Sequence, residues 1–143
     1  MDINSDELLK LDNQLCFPLY AAARKITSQY TPLLKPLKLT YTQYIVMLVL
    51  WEEDGISVGR LCERLHLDNG TVSPLLKKME KTGYVHRDRN DKDERIVKVF
   101  LTEEGKELKE KAKSIPLSIA SCNNIGQDKG KMLYKLLYEL ING

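Results

Sequence analysis

The run Asp68-Asn69-Gly70-Thr71-Val72-Ser73-Pro74-Leu75-Leu76-Lys77-Lys78-Met79-Glu80-Lys81-Thr82-Gly83 decides the fold when it is read with the twenty or so residues after it. Asp68-Asn69-Gly70 is a turn that also supplies a helix cap, and Val72, Leu75, Leu76 and Met79 recur at helical spacing on one side. Gly83 is placed to stop that helix. Pro74 removes one backbone donor, which is tolerable near the first turn and costly later. Residues 84–87 and 95–101 then change to strand-like composition, with Val97, Val99 and Leu101 alternating with Ile96, Lys98 and Phe100. Between them Asp88-Arg89-Asn90-Asp91-Lys92-Asp93-Glu94 forms a hydrophilic hairpin tip.

Upstream, Ser57 caps a short helix in which Val58, Leu61 and Leu65 face inward. Helix, tight turn, helix and charged hairpin together predict a winged helix-turn-helix over residues 55–105, whose second helix would enter the major groove of duplex DNA. Farther out, Leu8, Leu11, Leu15, Leu19, Ala22 and Ile26 predict one long first helix, and Thr31-Pro32 and Lys35-Pro36 punctuate a short helix or turn. Thr40 caps a helix running through Tyr44, Met47, Leu48 and Trp51 to the stop at Glu52-Glu53-Asp54-Gly55. Thr102 with Gly105 opens a helix carrying Leu108, Ala112, Ile115 and Ile119, interrupted by Pro116. A last helix places Met132, Leu133, Leu136, Leu137, Leu140 and Ile141 on one apolar face. The fold expected is mainly α with a small β-hairpin wing, a single domain over 1–143. Residues 1–35 and 106–143 form its helical dimerisation region, because their apolar faces are too wide for one small winged lobe to cover.

The net charge of the 143-residue chain is only +2, so any DNA-binding surface must come from local segregation of charge. Residues 71–100 hold eight Lys or Arg (77, 78, 81, 87, 89, 92, 95, 98) against five acids (80, 88, 91, 93, 94), a local excess of three that exceeds the total. Asn69, Thr71 and Ser73 at the helix N-terminus suit phosphates or base edges, with Lys77 and Lys78 following. Lysines on a helix alone read as a solvated face. The hairpin shifts that balance, because Arg87, Arg89, Lys92 and Arg95 serve no core there, and Asp93 beside Arg95 can orient its guanidinium. No signal peptide or membrane-spanning run is evident, so a cytoplasmic protein is expected. Cys16, Cys62 and Cys122 lie far apart with no CxxC, giving neither a disulfide framework nor a zinc signature, and no cofactor is expected.

The stretch Arg89-Asn90-Asp91-Lys92-Asp93-Glu94-Arg95, with Val97, Val99, Leu101-Thr102 and Gly105, resembles the wing signature of MarR-family regulators. Residues 67–79 resemble the recognition helix of the organic hydroperoxide resistance (OhrR) branch, and similarity extends to Leu15-Cys16-Phe17-Pro18-Leu19-Tyr20 and Leu39-Thr40-Tyr41-Thr42-Gln43-Tyr44. The resemblance implies a homodimer on a pseudo-palindromic operator in double-stranded DNA, with two recognition helices one helical turn apart.

A lone cysteine such as Cys16 on an apolar helix beside Leu15 is, on its chemistry alone, most often a small buried hydrophobe. The resemblance reverses that order. It implies a peroxide-sensing thiol held by tyrosine hydroxyls of the partner subunit, matched here by Tyr30 and Tyr41, with Tyr20 also near the pocket. Phe17, Leu19 and Trp51 then form an apolar wall, or are simply core. Pro18 should weaken the helix just after the thiol. Cys122 reads either as an exposed residue of no consequence or, by resemblance, as the second thiol that resolves the oxidised sensor across the dimer. Cys62 reads as structural, and His66 and His86 are isolated.

The expectation is therefore a repressor, not an enzyme, that releases its operator when an organic hydroperoxide oxidises Cys16, with Cys122 or a small thiol completing a disulfide. Two rivals stand beside it. One is a MarR-type repressor released by a small aromatic ligand; the other is a thiol peroxidase using Cys16 and Cys122, which would leave the wing unexplained.

Overall fold

The computed structural model of the chain describes residues 4–89 and 96–143. Around the decisive run, Asp68 caps helix α5 (Asn69–Thr82), and its carboxylate accepts from the Thr71 N–H at 2.7 Å. Those two bonds from Thr71, through hydroxyl and backbone, hold the Asp68 carboxyl below its ordinary value. Val72, Leu76 and Met79 form the buried stripe, while Leu75 is half-buried at its edge. Gly83 ends the helix in the left-handed conformation (φ 93°), which lets the Tyr84 N–H reach back to the Met79 carbonyl at 3.1 Å. Pro74 lies in the second turn, deeper than expected, so the Gly70 carbonyl loses its intrahelical donor.

The preceding helix α4 (Val58–Leu65) is capped by Ser57, whose Oγ accepts from the Arg60 N–H at 3.2 Å. His66, itself left-handed (φ 54°), turns the chain into α5. Strands β2 (Val85–Asp88) and β3 (Lys98–Leu101) pair antiparallel as the wing, Arg87 opposite Val99. The sequence reading missed a third strand: β1 (Ile56–Ser57) pairs with the other edge of β3, giving the order β1-β3-β2. A two-residue strand carries no alternation to detect, and its partner lies some forty residues downstream.

Helix α3 (Tyr41–Glu52) opens on a reciprocal capping box: Thr40 Oγ1 accepts from the Gln43 N–H, and the Thr40 N–H donates to Gln43 Oε1 at 3.0 Å. Leu34, Val46, Met47, Leu50, Leu61, Val72, Leu76 and Val99 are fully shielded and form the shared core of these elements. Helix α6 (Glu103–Ala112) closes that core. Thr102 caps it, accepting from the Gly105 N–H at 3.1 Å and donating to the Gly83 carbonyl at 2.6 Å.

The single long first helix is not what forms. Short helix α1 (Ser5–Leu8) gives way to a 3-10 turn at Leu11–Asn13, and α2 then runs Cys16–Leu34. Asn4 caps α1, and Asn13 and Gln14 side chains take the Glu7 and Leu8 carbonyls at 2.7 and 2.6 Å, so local side chains compete with the helix here. Pro18 accordingly falls in the first turn of α2, where no N–H is needed, and does not weaken it. Pro32, expected to punctuate, is carried inside α2, which ends instead in the 3-10 turn Lys35–Leu37.

Residues up to Lys113 form one compact unit and Ser114–Gly143 a second. The boundary places α6 with the winged lobe, where Gly105, Leu108 and Ala112 are buried. The second unit holds α7 (Ile115–Cys122), with Pro116 in its first turn, and α8 (Gln127–Asn142). No residue of α8 is buried.

Candidate functional site

Two surfaces carry the chemistry. The first is the outer side of α5 and the wing. Asn69 and Thr71 are exposed and Ser73 half-buried, with Ser73 Oγ donating to Asn69 Oδ1 at 2.9 Å. Lys77 and Lys78 are exposed farther along the same helix. Between α5, the start of α4 and the wing strands lies a crevice of about 890 Å³, lined among others by Cys62, Asn69, Ser73, Glu80, Arg87 and Arg89. Short polar side chains, a helix N-terminus and two guanidinium groups thus face one cleft, which suits an anionic backbone. Arg87 is not a free cation: its Nε donates to the Glu80 carboxylate of α5. Nothing in the sequence signals that pair, since its members sit seven residues apart on different elements. Lys92, Asp93 and Arg95 lie outside the described residues, as do Asn90, Asp91 and Glu94.

The second surface involves the thiol and the tyrosines. Cys16 is the first residue of α2 and is exposed. Leu15 beside it is 75% exposed, so the reading of Cys16 as a small buried hydrophobe fails within one chain. Tyr20, one turn on, is exposed too, with the Arg24 guanidinium 5.6 Å from its ring centroid and Arg24 Nη1 donating to its hydroxyl at 3.4 Å. Phe17 is exposed and Leu19 half-buried.

Tyr30, near the far end of α2, meets Tyr41 of α3 with ring centroids 4.9 Å apart. The sequence reading missed the third ring of this cluster, Tyr44, which is buried and lies 5.6 Å from Tyr30; its signal was the i, i+3 spacing from Tyr41. Burial, and then the neighbouring phenols, push Tyr30 and Tyr44 above the ordinary tyrosine value. Both therefore stay protonated and able to donate.

Cys16 and Tyr30 do not meet in one chain. Fourteen residues of helix separate them, about 21 Å at 1.5 Å per residue. Trp51 is also apart from the cluster. It sits in the last turn of α3, about 15 Å along from Tyr41, and its indole N–H donates to the Gly105 carbonyl at 2.9 Å. Its visible bond is thus to the winged lobe and not to the tyrosines.

All three cysteines are free thiols. Cys122 ends α7 in the second unit and is exposed. Cys62 is half-buried, and burial followed by the nearby Asp68 carboxylate raises its thiol. His86 stacks on Phe100 across the wing, centroids 5.4 Å apart. Among the described residues no group of acids, cysteines and histidines could hold a metal ion, and no helix is long and apolar enough to cross a membrane.

Comparison with known proteins agrees with this geometry. Residues 28–112 match the transcriptional regulator SarA/Rot family. The organic hydroperoxide resistance transcriptional regulator of Bacillus subtilis is 46% identical over 96% of this chain and 94% of its own. AbfR of Staphylococcus epidermidis has been solved in several states. Reduced AbfR bound to DNA has TM-score 0.79 and 33% identity, over 96% of each chain. Overoxidised AbfR bound to DNA has TM-score 0.78 and 32% identity, over 97% of this chain and 98% of its own. Disulfide-formed AbfR has TM-score 0.66 and 34% identity, over 96% of each chain. These relatives are regulators, not enzymes. The chain belongs to the SarA/Rot family of transcriptional regulators and, with it, to the MarR-type winged-helix proteins that include the organic hydroperoxide resistance regulators.

Proposed function

We propose that the chain is a homodimeric repressor that grips operator DNA with α5 and the wing, and lets go when an organic hydroperoxide oxidises Cys16. One observation carries the reading: Cys16 lies about 21 Å along α2 from Tyr30, the residue that packs on Tyr41 of α3, so a thiol site with tyrosine donors needs a second copy to supply one half. Antiparallel pairing of two chains would bring Cys16 of one to the tyrosines of the other. The exposed apolar side chains Leu8, Leu11 and Leu15 near the N-terminus and, separately, Leu136 and Leu140 of α8 each offer apolar surface to a partner copy.

The chemistry is a two-electron transfer. The Cys16 thiolate attacks the terminal peroxide oxygen, the O–O bond breaks, the departing alkoxide takes up a proton from solvent and leaves as the alcohol, and sulfur becomes a sulfenic acid. Cys16 opens α2, where the positive end of the helix dipole favours an anionic sulfur, and protonated tyrosines of the partner would add donors. Phe17 and Leu19 give it an apolar flank that suits an organic peroxide. The sulfenic acid then condenses with the partner's Cys122, or with a small thiol, releasing water and leaving a disulfide. Overoxidised AbfR is bound to DNA, which supports assigning release to the disulfide rather than to loss of the thiol alone.

The test is operator binding by Cys16→Ser with and without cumene hydroperoxide. The variant should hold DNA under oxidant that releases the wild type; continued release would end the proposal. Nonreducing electrophoresis addresses the second thiol separately. Oxidised protein should run as a covalent dimer, and Cys122→Ser should abolish that band.

One observation favours a second reading. A cavity of about 320 Å³ beside Tyr41, lined by Thr31, Lys35, Lys38 and Gln43, has the size and cationic rim for an aromatic acid. Calorimetry with salicylate on Cys16→Ser decides it: binding that also releases DNA would favour a ligand-controlled repressor.

A further inference from the structure

Glu80 is an acid in the wrong place for a protein that grips DNA. It lies on α5, half-buried at the rim of the crevice between recognition helix and wing. Coulomb repulsion with phosphates disfavours a carboxylate there, so what it holds decides its effect.

What it holds is one edge of Arg87. On β2, Val85 and Arg87 share a face by strand alternation, and Val85 is buried in the core beneath. Arg87 therefore leaves the sheet on the α5 side and donates its Nε to Glu80. The two side chains are 31% and 34% exposed, partly screened from water. A guanidinium is planar with five N–H donors, so a carboxylate on Nε fixes the plane and leaves the terminal edge available. Among the described residues the terminal nitrogens of Arg87 make no hydrogen bond or ion pair. The crevice they share is also lined by Asn69, whose side-chain NH2 can donate while Ser73 Oγ donates to its Oδ1, and by Arg89, both suited to an oxyanion.

We infer that Glu80 is a positioning residue for DNA, clamping Arg87 through Nε so that its terminal guanidinium nitrogens meet a backbone phosphate in this crevice. The inference rests on the DNA-binding reading above. It makes a prediction opposite in sign to plain electrostatics. Removing a negative charge near phosphates should tighten binding, whereas releasing the clamp should weaken it.

The experiment uses the reduced full-length protein and a fluorescein-labelled duplex that the wild type selects from a randomised pool, with anisotropy followed over a salt series. Glu80→Gln should bind about tenfold more weakly near physiological salt, a loss typical of one misplaced charged contact. Its slope of log affinity against log salt should match the wild type, because Arg87 keeps its charge. Arg87→Ala should lower that slope by about one. Arg87→Lys, which keeps the charge but has no Nε to clamp, should lose about as much as Glu80→Gln, and the double variant should lose no more than Arg87→Lys alone. Arg87→Lys decides the matter if Glu80→Gln fails a thermal-melt check of folding.

Binding by Glu80→Gln equal to or tighter than wild type overturns the clamp, as does additivity in the double variant. A slope flattened by more than one in Glu80→Gln also overturns it, since Glu80 would then only anchor the wing and its loss would drop Arg89 as well. A wild type that selects no duplex fails the DNA-binding reading itself, a result distinct from all of these.

Discussion

Tyr30 illustrates how a residue acquires its chemistry from neighbours. Burial and the Tyr41 phenol both disfavour its phenolate, and Tyr44 is shifted the same way for the same reasons. In the unfolded chain these groups ionise around their ordinary value of 10.0, and in the folded chain only above it. The unfolded state therefore binds fewer protons once pH passes that value, so stability is full below it and falls as pH rises through the raised folded values. Thermal melts across the alkaline range should show this decline, and Tyr30→Phe and Tyr44→Phe should each make it shallower. A wild-type midpoint that stays flat there would contradict the packing described for the cluster. Motif resemblance singled out Tyr30 and Tyr41, but their 4.9 Å contact could not be read from it, because it depends on how α2 and α3 pack.

At the scale of elements, the turn from wing to α6 is a closely made joint. An added Cβ at Gly105 would overlap the Tyr84 carbonyl oxygen and press on Leu101 Cδ2 at 3.2 Å. The backbone there cannot withdraw, because the Thr102 N–H donates to the same Tyr84 carbonyl at 3.0 Å and Trp51 holds the Gly105 carbonyl. Gly105→Ala should cost about 3 kcal/mol or more by overpacking a buried contact, measured by urea denaturation. Thr102→Ala, which removes a cap and a part-buried hydroxyl bond, should cost about 1–2 kcal/mol. A Gly105→Ala protein as stable as wild type would show that the joint is loose. The caps at Thr40, Ser57, Asp68 and Thr102 were readable because each bond closes within three residues of chain. The break between α1 and α2 was not, since apolar spacing runs on through Leu11 and Leu15 while Asn13 and Gln14 take the carbonyls.

At the scale of the whole molecule, the proposed dimer makes its own demand. Leu136 of α8 is 55% exposed and Leu140 is 60% exposed, side chains that a partner copy would bury. Sedimentation of the wild type should show a dimer that survives dilution to micromolar concentrations and below. Leu136→Asp should raise the dissociation constant by roughly a thousandfold, since about 2 kcal/mol is lost on each of two symmetry-related copies. DNA binding should fail with it, because a single recognition helix reaches only one half-site. Tight operator binding by a monomeric Leu136→Asp would break the link between pairing and function.

The residues alone determined what local chemistry can settle: the helix caps, the left-handed stop at Gly83, the alternation of the wing and the presence of one cysteine in a helix near the N-terminus. Such signals span a turn or less, so neighbouring residues carry them. Only the tertiary structure decided that Tyr44 joins Tyr30 and Tyr41, that one unbroken helix holds Cys16 about 21 Å from Tyr30, that β1 completes the sheet, and that Glu80 holds Arg87. Each of these is a meeting of side chains or strands set by packing around the shared core, and linear spacing carries no record of it.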